Sequence, residues 1–141
     1  MLGAGNCNDL DLNWLTQVYE QGLRSHGLRA SQFTILQVLA LAGEVTQGHL
    51  GKMLAMDSTT LTRTLSIMAR HGWIAERRGK DKRQRRWRLA AAGEARLKRA
   101  APAWAKAQSW LRQQLGGEAW ETLFQLTNQV AEIAVTKGDS L

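Results

Sequence analysis

Residues 57–89 constrain this chain most, because their pattern fits a helix followed by a hairpin. Asp57 is a strong N-cap residue, and Leu61, Leu65 and Met68 recur at i, i+4 and i+7. That spacing makes one buried stripe and predicts a helix over about 58–71. Its other face carries Ser58, Thr59, Thr62, Arg63, Ser66 and Arg70, which is small, hydroxylated and basic, with no carboxylate. Gly72 ends the helix. The stretches 73–78 and 84–89 read as short strands, since Trp87 and Leu89 alternate with Arg86 and Arg88. Between them Gly79-Lys80-Asp81-Lys82-Arg83 is a turn of hairpin length.

The charge lies on the same unit. Residues 70–88 hold nine cations against Glu76 and Asp81, a net +7. That equals the formal charge of the whole 141-residue chain, so the remaining residues balance. Concentration of this kind is the footprint of a polyanion site. A solvated basic surface is the plainer reading of a charge run. Here the run is interrupted by Trp73, Ile74, Trp87 and Leu89, so it belongs to folded structure.

Helical signals dominate the rest. A first helix is predicted over about 10–25 from Leu12, Leu15, Val18, Tyr19 and Leu23, with Gly27 as its stop. Ser31 can cap a second, carrying Phe33, Ile35, Leu36, Val38, Leu39 and Leu41 and ended by Gly43. Apolar on nearly all sides, it is expected at the centre. Thr46 caps a short third helix with Leu50, Met53 and Leu54 inward. Gly48 and Gly51 would weaken it by about 1 kcal/mol each and suggest a close helix backbone. A long helix over about 92–115 has Gly93 weakening its first turn and Pro102 expected to kink it. Gly116-Gly117 turns the chain into a last helix, about 118–136.

Two short helices followed by a hairpin describe a winged helix-turn-helix, so the fold class is mainly α with a small β-wing. In that module the second helix enters the major groove and the wing lies beside it. Ser58, Thr59, Thr62, Arg63, Ser66 and Arg70 are the candidate groove-facing residues, with hydroxyls for bases or phosphates and arginine for guanine or phosphate. Lys80, Lys82 and Arg83 in the wing suit a narrow minor groove, and Arg86 adds to the basic strand.

At these residues the sequence resembles the MarR family of bacterial transcriptional regulators. The resemblance is carried by Gly27-Leu28-Arg29 with Gln32-Phe33-Thr34, by Asp57-Ser58-Thr59-Thr60-Leu61-Thr62-Arg63 and by His71-Gly72-Trp73-Ile74. It continues in the wing pattern Asp81-Lys82-Arg83, in Arg88-Leu89 with Gly93, and in Pro102-Ala103-Trp104 with Ala107-Gln108. Leu89-Ala90 replaces the family's Leu-Thr, and Leu50-Gly51 its Leu-Ala. The resemblance implies a wing-structural role for Asp81 and a minor-groove role for Arg83. It also implies a homodimer, joined through flanking N- and C-terminal helices, on a double-stranded, pseudo-palindromic operator. The winged module is expected over about 45–90 of a single 1–141 domain, with dimerisation helices at about 8–30 and 92–136.

Excess apolar residues in those outer helices, among them Trp104, Leu111, Leu115, Trp120, Leu123 and Phe124, independently call for a partner. The family is commonly a repressor released by a small aromatic ligand or by oxidation. Trp14, Tyr19 and Trp104 are candidate linings of a ligand crevice, though each reads first as core. Cys7, the single thiol, precedes the first helix and is the candidate redox residue. Asp9 and Asp11 oppose its ionisation, and a packed, inert cysteine is the plainer reading. His26, His49 and His71 are scattered, so no metal or cofactor is expected. Phosphate-cradling and nucleophile motifs are missing, which disfavours an enzyme. No apolar run suits a membrane span and no secretory signal is read, so a cytoplasmic setting is expected. The alternative is a winged-helix RNA-binding or architectural nucleoid protein that works through backbone contacts.

Overall fold

A computed structural model describes residues 12–78, 84–126 and 129, with side chains described from Gln17 onward. The elements are α1 (Leu12–Arg24), α2 (Ala30–Ala42), β1 (Glu44–Thr46), α3 (Gln47–Leu54), α4 (Ser58–Arg70), β2 (Ile74–Arg78), β3 (Arg85–Leu89) and α5 (Ala91–Leu115). Residues 117–126 are helical again. Cys7, Lys80, Asp81, Lys82, Arg83 and the Trp14 side chain lie outside what is described.

The predicted helix boundaries follow their local signals. Gly27, Gly43, Gly72 and Gly116 all adopt positive φ where helices end, the backbone region that glycine enters without a Cβ clash. Thr46 accepts the His49 N–H at 3.2 Å and so caps α3. The cap of α2 differs from expectation. Arg29, not Ser31, is the N-cap residue. The Ala30 N–H donates to Glu20 Oε1 of α1 at 2.9 Å, and the Arg29 N–H donates to Gln32 Oε1 at 2.9 Å. A carboxylate from a neighbouring helix therefore serves the positive end of α2.

Phe33, Ile35, Leu36 and Leu39 of α2 are buried, and α2 packs on α1, α5, β1 and β3. Each such side chain contributes roughly 1.5–3 kcal/mol by leaving water. Leu41 departs from the predicted all-round burial, being 91% exposed at the C-terminal end of α2. Met53 of α3 is exposed too. Nothing lies within 4 Å of a Cβ built on Gly48, and one on Gly51 would meet the Leu61 side chain at 3.4 Å. Among the described residues, the close helix backbone expected at those glycines is not there.

Gly93 is where a close approach does occur. A Cβ there would collide with the carbonyl oxygen of Trp73 and lie 2.8 Å from its carbonyl carbon. That carbonyl accepts the Ala90 N–H at 2.9 Å, which seats the start of α5 on the start of the hairpin. The Trp73 ring stacks on His71 at 4.6 Å and lies under the Arg96 guanidinium at 5.2 Å. Arg96 Nη1 also donates to the His26 carbonyl at 2.7 Å. From its place α5 runs through Pro102 as one 25-residue helix.

The sheet has three strands rather than the two of the predicted hairpin, in the antiparallel order β1-β3-β2. β1 sets Glu44 opposite Arg88, Val45 opposite Trp87 and Thr46 opposite Arg86. β2 sets Ile74 opposite Leu89 and Arg78 opposite Arg85. Val45, Ile74 and Trp87 are buried on one face, while Arg86 and Arg88 project from the other.

Candidate nucleic-acid interface

The polar face of α4 is built by its first turn and its stripe. Asp57 Oδ1 accepts the Thr60 N–H at 2.8 Å, and Oδ2 accepts the Thr60 hydroxyl at 2.7 Å. These bonds, the hydroxyl first, hold the Asp57 carboxyl below its ordinary value. Leu61, Leu65 and Met68 are buried as the stripe. Helical geometry then turns Ser58, Thr59, Thr62, Arg63, Ser66 and Arg70 outward, and all six are exposed. No carboxylate interrupts this face.

The strands divide their arginines. Arg85 makes a bidentate pair with Glu76, Nε to Oε1 at 2.8 Å and Nη2 to Oε2 at 3.0 Å. Arg78 reaches the same carboxylate at 4.0 Å, and Arg77 reaches Glu44 at 3.7 Å. The Arg85 bond holds the Glu76 carboxyl below its ordinary value, and Glu76 in turn raises Arg85. Arg85 also lies over the Trp87 ring at 5.3 Å. By contrast Arg63, Arg70, Arg86 and Arg88 form no ion pair among the described residues. Charge counting along the chain treats all of these alike. Arg88 shares the face of Arg86 two residues on, and strand alternation would have found it as a further candidate.

One residue of this region carries no sequence signal. Trp87 Nε1 donates to Gln47 Oε1 at 3.1 Å, and Gln47 Nε2 donates to Thr62 Oγ1 at 3.0 Å. The Thr62 hydroxyl donates to the Ser58 carbonyl at 2.7 Å. Gln47 thus links the sheet, α3 and the outer face of α4. A glutamine in the first turn of a helix, 40 residues from its tryptophan partner, has no periodicity to betray it.

Away from this face, the Tyr19 and Trp104 rings stack at 4.2 Å and Phe33 stacks on Trp104 at 4.5 Å. The three rings tie α1, α5 and α2 together. Burial raises the Tyr19 phenol above its ordinary value, partly offset by its hydrogen bond with Gln108. A groove of about 630 Å³ lies beside them between α1 and α5, lined by Gln17, Gln21, Ser25, Lys106 and Trp110 among others. Neither Tyr19 nor Trp104 lines it. Trp110 is 45% exposed there, unlike the buried Trp73 and Trp87. Among the described residues no group of three or more His, Cys, Asp or Glu is placed to hold a metal ion. Nor is any described helix long and apolar enough to cross a membrane.

Known proteins share this arrangement. A MarR family model matches residues 26–84. The HTH-type transcriptional regulator YwoH of Bacillus subtilis is 35% identical over 63 residues, a stretch spanning 45% of this chain and 46% of that protein. Among solved structures, the M. tuberculosis transcriptional regulator MosR in complex with DNA is 32% identical. That likeness covers 86% of this chain and 88% of that one, with a TM-score of 0.76. The chain belongs to the MarR family. A cysteine variant of MarR from E. coli, complexed with operator DNA, has the same fold at a TM-score of 0.75, with 24% identity over 84% of this chain and 86% of that one. The helices and small antiparallel sheet of this chain are those of a MarR winged-helix protein. YwoH and MosR, both above 30% identity, are transcriptional regulators.

Proposed function

We propose that this chain is a homodimeric regulator that binds a double-stranded, pseudo-palindromic operator and acts as a repressor. The carrying observation is the outer face of α4, with six exposed hydroxyl or arginine side chains and no carboxylate. Such a face suits the major groove, where hydroxyls and guanidinium groups meet base edges and phosphates. Arg86 and Arg88 add positive charge on the sheet, and the wing-tip residues Lys80, Lys82 and Arg83 are assigned to the flanking minor groove, with Asp81 shaping the turn. MosR and E. coli MarR, both solved with DNA, support this reading. The test is competition between a duplex selected from a random library and unrelated DNA, repeated over a range of salt. A preferred sequence with a steep salt dependence supports an operator. Equal affinity for all duplexes would make this an architectural binder, and preference for RNA would make it an RNA-binding protein.

The dimer rests on apolar surface outside the winged module. Trp110, Leu115, Phe124 and Leu126 are exposed, with Phe124 at 56%. Release by a small aromatic ligand or by oxidation of Cys7 completes the proposal. A ligand site formed by Tyr19 and Trp104 requires their stacked rings to part, so binding of a planar acid would change tryptophan fluorescence. Mild peroxide would lower DNA affinity in the wild type and leave Cys7→Ser unaffected. No response to either agent would place control elsewhere.

A further inference from the structure

We infer that Gln47 is a positioning residue that fixes the hydrogen-bonding polarity of Thr62, so that Thr62 meets DNA as an acceptor only. The inference rests on the reading of α4 as the groove-entering helix. The polarity follows from one group with no choice. An indole N–H can only donate, and Trp87 is buried, so its bond at 3.1 Å requires the amide oxygen of Gln47 to face it. The amide nitrogen is thereby turned to Thr62, 3.0 Å away. That nitrogen has only hydrogens to offer, so the Thr62 oxygen must accept. The Thr62 proton goes to the Ser58 carbonyl at 2.7 Å.

A hydroxyl has one proton and two lone pairs. Here the proton and one lone pair are committed within the protein. What Thr62 offers outward is one lone pair and its methyl group, in a side-chain rotamer set by the bond to Ser58. In the major groove an acceptor meets the exocyclic amino group of adenine or cytosine. Guanine O6 and N7, thymine O4 and phosphate oxygens are themselves acceptors, and Thr62 has no proton left for them. An exposed threonine without this arrangement can turn its hydroxyl and serve either kind of base. Gln47 therefore contributes selectivity without itself touching the base.

The experiment uses the full-length protein on duplexes that differ by a single functional group. Library selection with wild type and Thr62→Val locates the base pair whose preference needs the Thr62 hydroxyl. At that pair the exocyclic amino group of one base, or the keto oxygen of its partner, is replaced by hydrogen. Wild type should lose about fivefold to tenfold in affinity on amino deletion and almost nothing on keto deletion. Thr62→Val should be indifferent to both. Gln47→Leu, and Gln47→Met as a second variant with the same helical preference, should lose most of the amino–keto difference. Their thermal unfolding should stay cooperative and their salt dependence unchanged. The double variant Gln47→Leu with Thr62→Val should match Thr62→Val alone, because the two residues act through one oxygen. Full wild-type discrimination in both Gln47 variants would overturn the inference, as would greater sensitivity of wild type to keto deletion. If Thr62→Val alters no position while Arg63→Ala does, Thr62 is not a reader and the inference falls, although the α4 reading stands. If neither alters any position, the α4 reading fails and takes the inference with it.

Discussion

At the scale of residues, arginines that are equivalent by count divide into structural and available ones. Arg77, Arg78 and Arg85 face Glu44 or Glu76, whereas Arg63 and Arg86 are exposed and have no ion pair among the described residues. Arg63→Ala should weaken operator binding by about 1–3 kcal/mol and relax base preference at one position. Arg86→Ala should weaken all duplexes alike and lower the salt slope by about one, the signature of a lost phosphate contact. Fluorescence titration across a salt series separates the two. Gly93 is the residue whose importance is steric. Gly93→Ala drives a methyl group into the Trp73 carbonyl, and should cost about 1–3 kcal/mol or more as α5 and the hairpin move apart. The midpoint in a denaturant titration measures it, and an unchanged midpoint would show that the contact is easily relieved.

At the scale of elements, α4 works because its two faces are independent. Leu65 is fully buried, so Leu65→Ala should destabilise the protein by about 2–5 kcal/mol, while base preference in the protein that remains folded is unchanged. The cap of α4 and the Glu76–Arg85 pair both involve carboxylates held below their ordinary values. A carboxyl whose folded value is depressed stabilises the fold above its unfolded value and loses that contribution as pH falls through the folded one. Stability from Asp57 and Glu76 should therefore be complete at neutral pH and decline below about pH 4. Asp57→Asn keeps an acceptor at the cap without a titrating proton, so its melting temperature should fall less steeply in acid than that of wild type. Parallel acid profiles for the two proteins would exclude the cap as a source of this dependence.

At the scale of the whole molecule, the outer helices have more apolar surface than the described chain covers. Trp110, Leu115, Phe124 and Leu126 stay exposed, beyond a core that already joins α1, α2 and α5 through Tyr19, Phe33 and Trp104. A symmetric partner is the ordinary way to cover such surface. Sedimentation of the full chain should give a dimer. Truncation after Leu115 should give a monomer or an aggregate, with operator affinity reduced far more than the intact basic segment would suggest. A stable full-length monomer would refute the dimer.

Features set by chain geometry follow from the amino-acid order alone. The α4 stripe, the Asp57 and Thr46 caps, the glycine stops and the alternation around Trp87 repeat at the periods of helix and strand, so each is legible within a few residues. The available face of α4 was legible for the same reason, being the complement of its stripe. What depends on distance through space is settled only when the chain is folded. β1 is only three residues long, too short to display a period, and exists because Val45 meets Trp87 across the sheet. Glu20 caps a helix ten residues away, and Glu44 and Glu76 select which arginines are neutralised. Gly93 reads as a weak helix position until Trp73 is placed against it. Gln47 reads as any surface glutamine until the fold sets it between an indole that can only donate and a threonine that must then accept.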